Sequence, residues 1–386
     1  MSKKKSELEL AQEEAFMAIQ LVNQRIQVLG EHSDMLDRAL VKIQGLFGKI
    51  RGVPVEQEYT LKELREIRLN WQKGVDKIEE DYAKVCKRTV SGGAAGAMAG
   101  IGVAALGPTA AMGVATTFGV ASTGTAISAL SGAAATNAAL AWLGGGALAA
   151  GGGGIAAGEA FLAAAGPIGW TLAGASLVIS GILYFINKSK NDRLKEIFTL
   201  ISKRDTKRFQ LALVEMNERI KRIKDETPAL WEGCGKIETF GVNYAEMTKD
   251  QHYALGAYVN LMKSTTQLLV NPIQGLQPQY TMLDLDRFKS GHKIVYTIEE
   301  YANYLKEGKE CFWDFANLVK DHPDILASFA NLLYSIELDD KDLKLLGKAF
   351  EKNEDLLKSM HIENESHLGI ILDVSYRLLQ YKKKIE

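Results

Sequence analysis

The stretch between Arg88 and Lys188 contains a single formal charge, Glu159. Glycine, alanine, serine, threonine and larger apolar residues dominate the rest of it. A soluble domain needs a solvated surface, so it rarely leaves about a hundred consecutive residues nearly without charge. The sequence therefore predicts that residues 91–187 are a segment that enters a bilayer, or one that stays hidden inside the protein until it does.

The averages of the whole chain conceal this segment, because they mix it with densely charged flanks. Charged residues make up 24% of the chain, the net charge is −1 and the mean hydropathy is −0.06. This balance gives no indication of a nucleic-acid partner. The three cysteines, Cys86, Cys234 and Cys311, are far apart and odd in number, so they predict a reducing compartment and neither a disulfide framework nor a metal site.

Residues 8–52 have the pattern of one long amphipathic helix. Apolar residues recur at alternating steps of four and three, which is a heptad seam interrupted by Ser33. Gly52 and Pro54 are predicted to end this helix. We interpret the seam as intramolecular core, with a partner-binding coiled coil as the alternative. Its members are Ala15, Ile19, Val22, Ile26, Leu29, Leu36, Leu40, Ile43, Phe47 and Ile50.

Further helices are predicted on both sides of the neutral segment. Helix 60–88 starts at a capping box of Thr60 and Glu63, and its apolar face holds Leu64, Trp71, Val75, Ile78, Tyr82 and Val85. After the segment the pattern predicts helix 190–226 ended by Pro228, then helices 229–245 and 249–270. Thr248 and Gln251 form a capping box for the last of these.

The C-terminal region is predicted to be helical after a long loop. Residues 271–292 contain two prolines and no clear period, which predicts a loop with one short strand at most. From Thr297 onward the pattern is helical, with breaks at Pro323, around Asp339 and at Asn364.

Within the neutral segment, residues 168–186 are the strongest candidate for a membrane crossing. Their length suits a hydrocarbon core, and aromatic residues stand near both ends, as they do at membrane interfaces. The residues predicted to insert are Trp170, Leu172, Leu177, Val178, Ile179, Ile182, Leu183, Tyr184 and Phe185.

Glycines at intervals of four predict close helix packing in a membrane. Gly92, Gly96 and Gly100 form one GxxxGxxxG pattern, and Gly154 and Gly158 repeat the spacing once. Chance in a Gly/Ala-rich stretch is the alternative explanation. Glu159 follows the second pattern, and we interpret it as the polar tip of a hairpin in preference to an intramembrane functional charge.

The composition of the segment predicts two states. Alanine and glycine favour insertion far less than leucine or isoleucine, so the segment stands near balance between burial in protein and burial in lipid. A constitutive membrane domain is the alternative. Basic residues on both flanks predict either an even number of crossings, two or four, or attraction to anionic lipid: Lys84, Lys87, Arg88, Lys188, Lys190, Arg193 and Lys195.

The sequence shows no recognisable enzyme motif. Phosphate-binding, zinc-protease, serine-hydrolase and dinucleotide-binding patterns are absent. Asp284 and Asp286 could contact a cation, but a solvated loop is the preferred interpretation. We therefore expect no catalytic residue, no cofactor and no metal site.

Long charged helices flanking one Gly/Ala-rich apolar block resemble α-helical pore-forming toxins of the cytolysin A and haemolytic-component type. The block is best represented by residues 122–158, STGTAISALSGAAATNAALAWLGGGALAAGGGGIAAG. It is also similar to glycine-rich segments of uncharacterised bacterial proteins and, loosely, of apolipoprotein L. The resemblance implies an all-α protein that forms pores and supplies no catalytic residue.

Together these features predict an all-α, elongated helical bundle with long amphipathic helices and a central Gly/Ala-rich membrane-interacting segment. The expected divisions are 1–90, 91–187, 188–272 and 273–386. The expected function is that of a bacterial protein that inserts from a soluble cytoplasmic form, oligomerises through its glycine faces, and forms pores in membranes or remodels them.

The lipid bilayer is its expected partner. A constitutive membrane scaffold with partner-binding helices and an enzyme with an unrecognised helical site are the alternatives. The N-terminus lacks the apolar run of a Sec signal peptide, so any secretion is expected to be non-classical.

Overall fold

The structure is a computed structural model that describes residues 5–91, 191–271, 273–276, 279–280, 282–291, 323–351 and 365–385. Within these ranges the chain is helical and has no strand, which confirms the all-α prediction. The described helices are α1 (Glu7–Phe47), α2 (Val55–Ser91), α3 (Asp192–Glu238), α4 (Lys249–Val270), α5 (Met282–Gly291), α6 (Pro323–Leu333), α7 (Asp340–Glu351) and α8 (Glu365–Ile385), with 3₁₀ turns at Tyr244–Glu246 and Gln274–Leu276.

The main structural unit is a parallel pair formed by α1 and α3. Near one end the Lys203 ammonium lies 2.6 Å from a Glu7 carboxylate oxygen, and near the other Lys42 lies 2.7 Å from Glu238. The same number of residues separates the two partners along each helix, so the helices run in the same direction and in register. α1 spans 41 residues, which corresponds to a length of about 60 Å.

The heptad seam of α1 is buried in this pair wherever its side chains are described. Leu29, Leu36, Leu40 and Ile43 have no exposed surface, and Ser33 is 5% exposed. The four apolar residues pack in one cluster with Met216, Ile220 and Ile223 of α3, with residues of α4, and with Leu64 of α2. The side chains of Ile19 and Ile26 lie outside the described set.

A second core surrounds the first turns of α3. Its members come from α5–α8, from the start of α3, and from Leu8 at the start of α1. Between Ile201, which belongs to this core, and Ala212, which belongs to the first, α3 buries the polar residues Ser202, Asp205 and Thr206. A polar layer therefore divides the two cores along α3.

The predicted end of the first helix, at residue 52, and the predicted start of the second, at residue 60, are both wrong. α1 stops at Phe47 because the following residues turn and join the loop after α3: the Arg51 N–H donates to the Val242 carbonyl at 2.8 Å, and Gly52 has a φ of +71°. α2 begins at Val55, before the predicted capping box. The Thr60 hydroxyl donates to the Glu56 carbonyl inside the helix and caps nothing.

The predicted break at Pro228 is also wrong, and so is the separate helix 229–245. α3 continues through Pro228 to Glu238. A proline removes one backbone hydrogen bond, but Ile223 on one side of it and Leu230 and Ile237 on the other remain in the same core. We attribute the continuity of α3 to this packing.

In the C-terminal region the helix starts were predicted more accurately than the loop. α4 has the predicted Thr248–Gln251 capping box, and α7 begins at Asp340, next to the predicted break around Asp339. The predicted breaks at Pro323 and at Asn364 adjoin residues that lie outside the described set. The stretch 271–292 differs from its prediction, because it contains a 3₁₀ turn and the helix α5 in its described part.

Candidate membrane-interacting site

The residues predicted to insert, the packing glycines and Glu159 all lie in 92–190, outside the described residues. The structure does describe the two helices that flank this segment, α2 up to Ser91 and α3 from Asp192. None of the helices in the described ranges is both long enough and apolar enough to span a membrane. The described part of the candidate site is the start of α3, which follows the segment along the chain.

α3 begins at a capped first turn. The Asn191 side-chain oxygen accepts a hydrogen bond from the Leu194 N–H at 3.1 Å, which satisfies one of the free donors of the helix start. Leu194, Ile197 and Phe198 follow on the face that packs into the second core. The chain that follows the neutral segment is therefore helical from Asp192 onward, and its first turns are packed into the second core.

Arg193 ties this first turn to α7. Its guanidinium forms two hydrogen bonds with the Asp342 carboxylate, Nε to Oδ1 at 3.0 Å and Nη2 to Oδ2 at 2.7 Å. The Asp342 side chain is 9% exposed, and the backbone N–H of Asp342 donates to an Asp339 carboxylate oxygen at 2.8 Å. The Arg193 hydrogen bonds hold the pKa of Asp342 below its ordinary value. Such two-point pairs are among the stronger ionic contacts in proteins.

A second arginine fastens α3 to the end of α6. The Arg204 guanidinium donates to the Leu332 carbonyl at 2.9 Å and also to the Tyr334 carbonyl. It pairs with Asp205, whose side chain is 3% exposed. The carbonyls at a helix C-terminus lack partners within the helix, so Arg204 supplies partners for two partly buried carbonyls at the end of α6.

These contacts reduce the basic charge expected beside the neutral segment. The sequence suggested Arg193 and Lys195 as free cations for anionic lipid, but Arg193 pairs with Asp342 and Glu196, and Lys195 lies 3.8 Å from Asp192. Lys188 and Lys190 lie outside the described residues. Sequence reasoning missed the role of Asp342 because no periodic pattern links residues so distant along the chain.

Potential metal-ligating side chains do not cluster in the described part of the chain. No group of three or more such side chains occurs there. Asp284, predicted to be in a solvated loop, is instead 7% exposed in α5, with Lys382 3.3 Å and Arg287 3.9 Å from its carboxylate oxygens. Its charge is therefore already balanced by two cations.

We expect Asp342→Asn to destabilise the protein by on the order of 1 kcal/mol at neutral pH, since the pair is partly exposed on the Arg193 side. The hydrogen bonds from Arg193 lower the pKa of Asp342 in the folded protein below its ordinary value of 3.8. The ion pair therefore stabilises the fold fully at pH values above 3.8, and this stabilisation is lost as the pH falls through the lowered pKa. Thermal unfolding from pH 7 to pH 3 measures this. The midpoint difference between variant and parent should shrink below about pH 4.

Asp373→Asn is the matched control, because its pair with Arg377 is an exposed contact within one helix and should contribute little at any pH. A midpoint difference for Asp342→Asn that is equally large at pH 3 and pH 7 would contradict the role given to the ion pair.

No protein-family model, no curated protein and no solved structure matches this chain.

Proposed function

We propose that this protein inserts residues 91–187 into a lipid bilayer and thereby permeabilises or remodels it. The observation that carries the proposal is the single formal charge between Arg88 and Lys188, flanked by helices dense in charge. Removing charge from so long a stretch is costly for solubility and favourable for burial in hydrocarbon.

The arrangement of the described helices supports the proposal. The seam of α1 is buried against α3, so the long helices already cover their main apolar faces. At the start of α3, Arg193 and Arg204 fasten the helix to the C-terminal helices. These contacts would let the described body keep its fold while the segment moves between protein and lipid.

The content of the segment supports a change of state. Most of 92–160 is alanine and glycine, which gain little on insertion, whereas 168–186 contains the larger apolar residues that gain about 0.3–0.6 kcal/mol each. We infer that 168–186 leads the insertion and that the remainder follows by helix packing. Gly92, Gly96 and Gly100 would then let neighbouring helices approach closely, within one chain or between copies.

The crossing itself is tested by Leu177→Arg. This change places a charge near the centre of 168–186, which costs about 2.5–3.5 kcal/mol on insertion scales, so insertion should fall roughly a hundredfold. The measurement is the amount of 168–186 that resists protease when the full-length protein is mixed with liposomes.

Leu211→Arg is the control for the added charge, since Leu211 lies on α3 and is 51% exposed. Circular dichroism should show parental helix content for both variants. A protected fragment that is equally abundant for Leu177→Arg and the parent protein would mean that the stretch does not cross.

A further inference from the structure

α1 carries a second apolar stripe beside its buried seam. Leu10, Met17 and Leu21 follow one another at steps of seven and four, so they share one face of the helix. Their side chains are 48%, 58% and 51% exposed. Val28, seven residues farther on, is partly buried and continues the stripe. A row of exposed apolar side chains of this length indicates an interaction surface.

The stripe forms one wall of a groove between α1 and α3. A cavity of about 370 Å³ lies in this groove, lined by Leu21, Gln24, Arg25 and Val28 of α1 and by Leu213 and Asn217 of α3. Arg25 is the one charged residue among these lining residues, and its side chain is exposed. The groove is therefore an apolar surface with one cation on it.

The helices α2 and α4 pack on the opposite side of the α1–α3 pair. From α2, the Arg68 guanidinium donates to the Gln44 side-chain oxygen at 2.8 Å. From α4, the Ser264 hydroxyl donates to a Glu226 carboxylate oxygen at 3.0 Å. At about 100° of rotation per residue, Gln44 lies nearly opposite the stripe around α1, and Glu226 lies nearly opposite the groove residues of α3. Neither α2 nor α4 therefore covers the groove in its described part.

The stripe is symmetric about its midpoint. Leu10 and Val28 stand at equal distances on either side of position 19, and so do Met17 and Leu21. Two copies of α1 packed antiparallel about this midpoint would place Leu10 level with Val28 of the other copy, and Met17 level with its Leu21. Each apolar side chain would then face an apolar side chain.

The exposed charges on this face complement one another in the same arrangement. Glu14 and Arg25 are both exposed and stand almost equally far from position 19, on opposite sides of it. They are about 16 Å apart along α1, which is too far for an ion pair within one copy. Antiparallel packing brings each Glu14 level, within about one residue, with Arg25 of the other copy. Parallel packing of α1 on α1 would instead bring Glu14 beside Glu14 and Arg25 beside Arg25.

We propose that a second copy of this chain covers the groove, in an antiparallel two-fold dimer with α1 on α1 and α3 on α3. The same patch serves both copies in such a dimer, and each copy contributes one Glu14 and one Arg25 to two equivalent ion pairs. The dimer goes beyond the proposed membrane function and does not depend on it, because every residue that forms it belongs to the described helices.

Sedimentation equilibrium of the full-length protein without detergent tests the dimer, at concentrations from about 1 μM to about 1 mM. The parent protein should show a reversible equilibrium between monomer and dimer. Glu14→Arg and Arg25→Glu should each weaken the dimer on the order of tenfold, because like charges then meet at both ion-pair positions. Arg65→Glu, at an exposed arginine of α2, is the control for net charge and should leave the equilibrium unchanged.

Mixing the two single variants gives the sharpest result. A copy with Glu14→Arg has two arginines on this face, and a copy with Arg25→Glu has two glutamates, so an equimolar mixture should form a mixed dimer with parental affinity. The double variant should do so on its own. A mixture that stays as weakly associated as either single variant would overturn the antiparallel pairing.

Leu21→Glu tests the apolar part of the surface. It places a charge near the centre of the dimer and should weaken association on the order of a hundredfold. Leu211→Glu is the matched control, because Leu211 is also 51% exposed but points away from the groove on α3. Circular dichroism should show parental helix content for both variants.

Two further outcomes would overturn the proposal. A parent protein that is monomeric at every concentration would mean that another segment of this chain or a different partner covers the groove. A dimer that persists with parental affinity in Leu21→Glu and in both charge variants would mean that the copies meet on another surface.

Discussion

Leu40→Asp is expected to destabilise the fold by about 3–5 kcal/mol. Leu40 has no exposed surface in the described structure and belongs to the core shared by α1, α3 and α4. The new carboxylate would be buried among the apolar side chains of that cluster, and the leucine packing would also be lost. A loss of this size should lower the midpoint of thermal unfolding by roughly 10 °C.

Val41→Asp is the control at the next position, because Val41 is 45% exposed on the same helix. It should leave the midpoint within a few degrees of the parental value. If both variants unfolded at the parental midpoint, α1 would not be paired with α3 in solution, and its seam would be available for a partner.

The α1 seam shows what the sequence can predict. Its step of four and three is repeated over many turns, and a pattern of that length identifies both the helix and its buried face. The Thr248–Gln251 capping box was also predicted, because it depends on a local backbone preference that the structure uses.

The errors occur where tertiary contacts override local signals. Thr60 and Glu63 have the spacing of a capping box but stand inside α2, and Pro228 stands inside α3. In the loop after α1, the hydrogen bond from the Arg51 N–H to the Val242 carbonyl joins residues far apart along the chain. Single-sequence reasoning has no access to such contacts.

The support of the candidate site was not predictable for the same reason. In the sequence, Arg193 and Arg204 look like the solvated face of an amphipathic helix, yet each binds a group of the C-terminal region. The parallel pairing of α1 with α3 is likewise set by packing between distant helices. The neutral segment is the exception, because its lack of charge is visible in composition alone.

The central claim is that residues 91–187 bind the membrane, and liposome flotation of two proteins tests it most directly. One is the full chain without detergent, and the other has 92–187 replaced by a flexible Gly/Ser linker, which lets α2 and α3 keep their connection. Circular dichroism should first show that both proteins retain the described helices. We predict that the full chain floats with the liposomes and that the linker variant stays in the soluble fraction. Equal flotation of the two proteins would contradict the account, because membrane binding would then come from the charged helices.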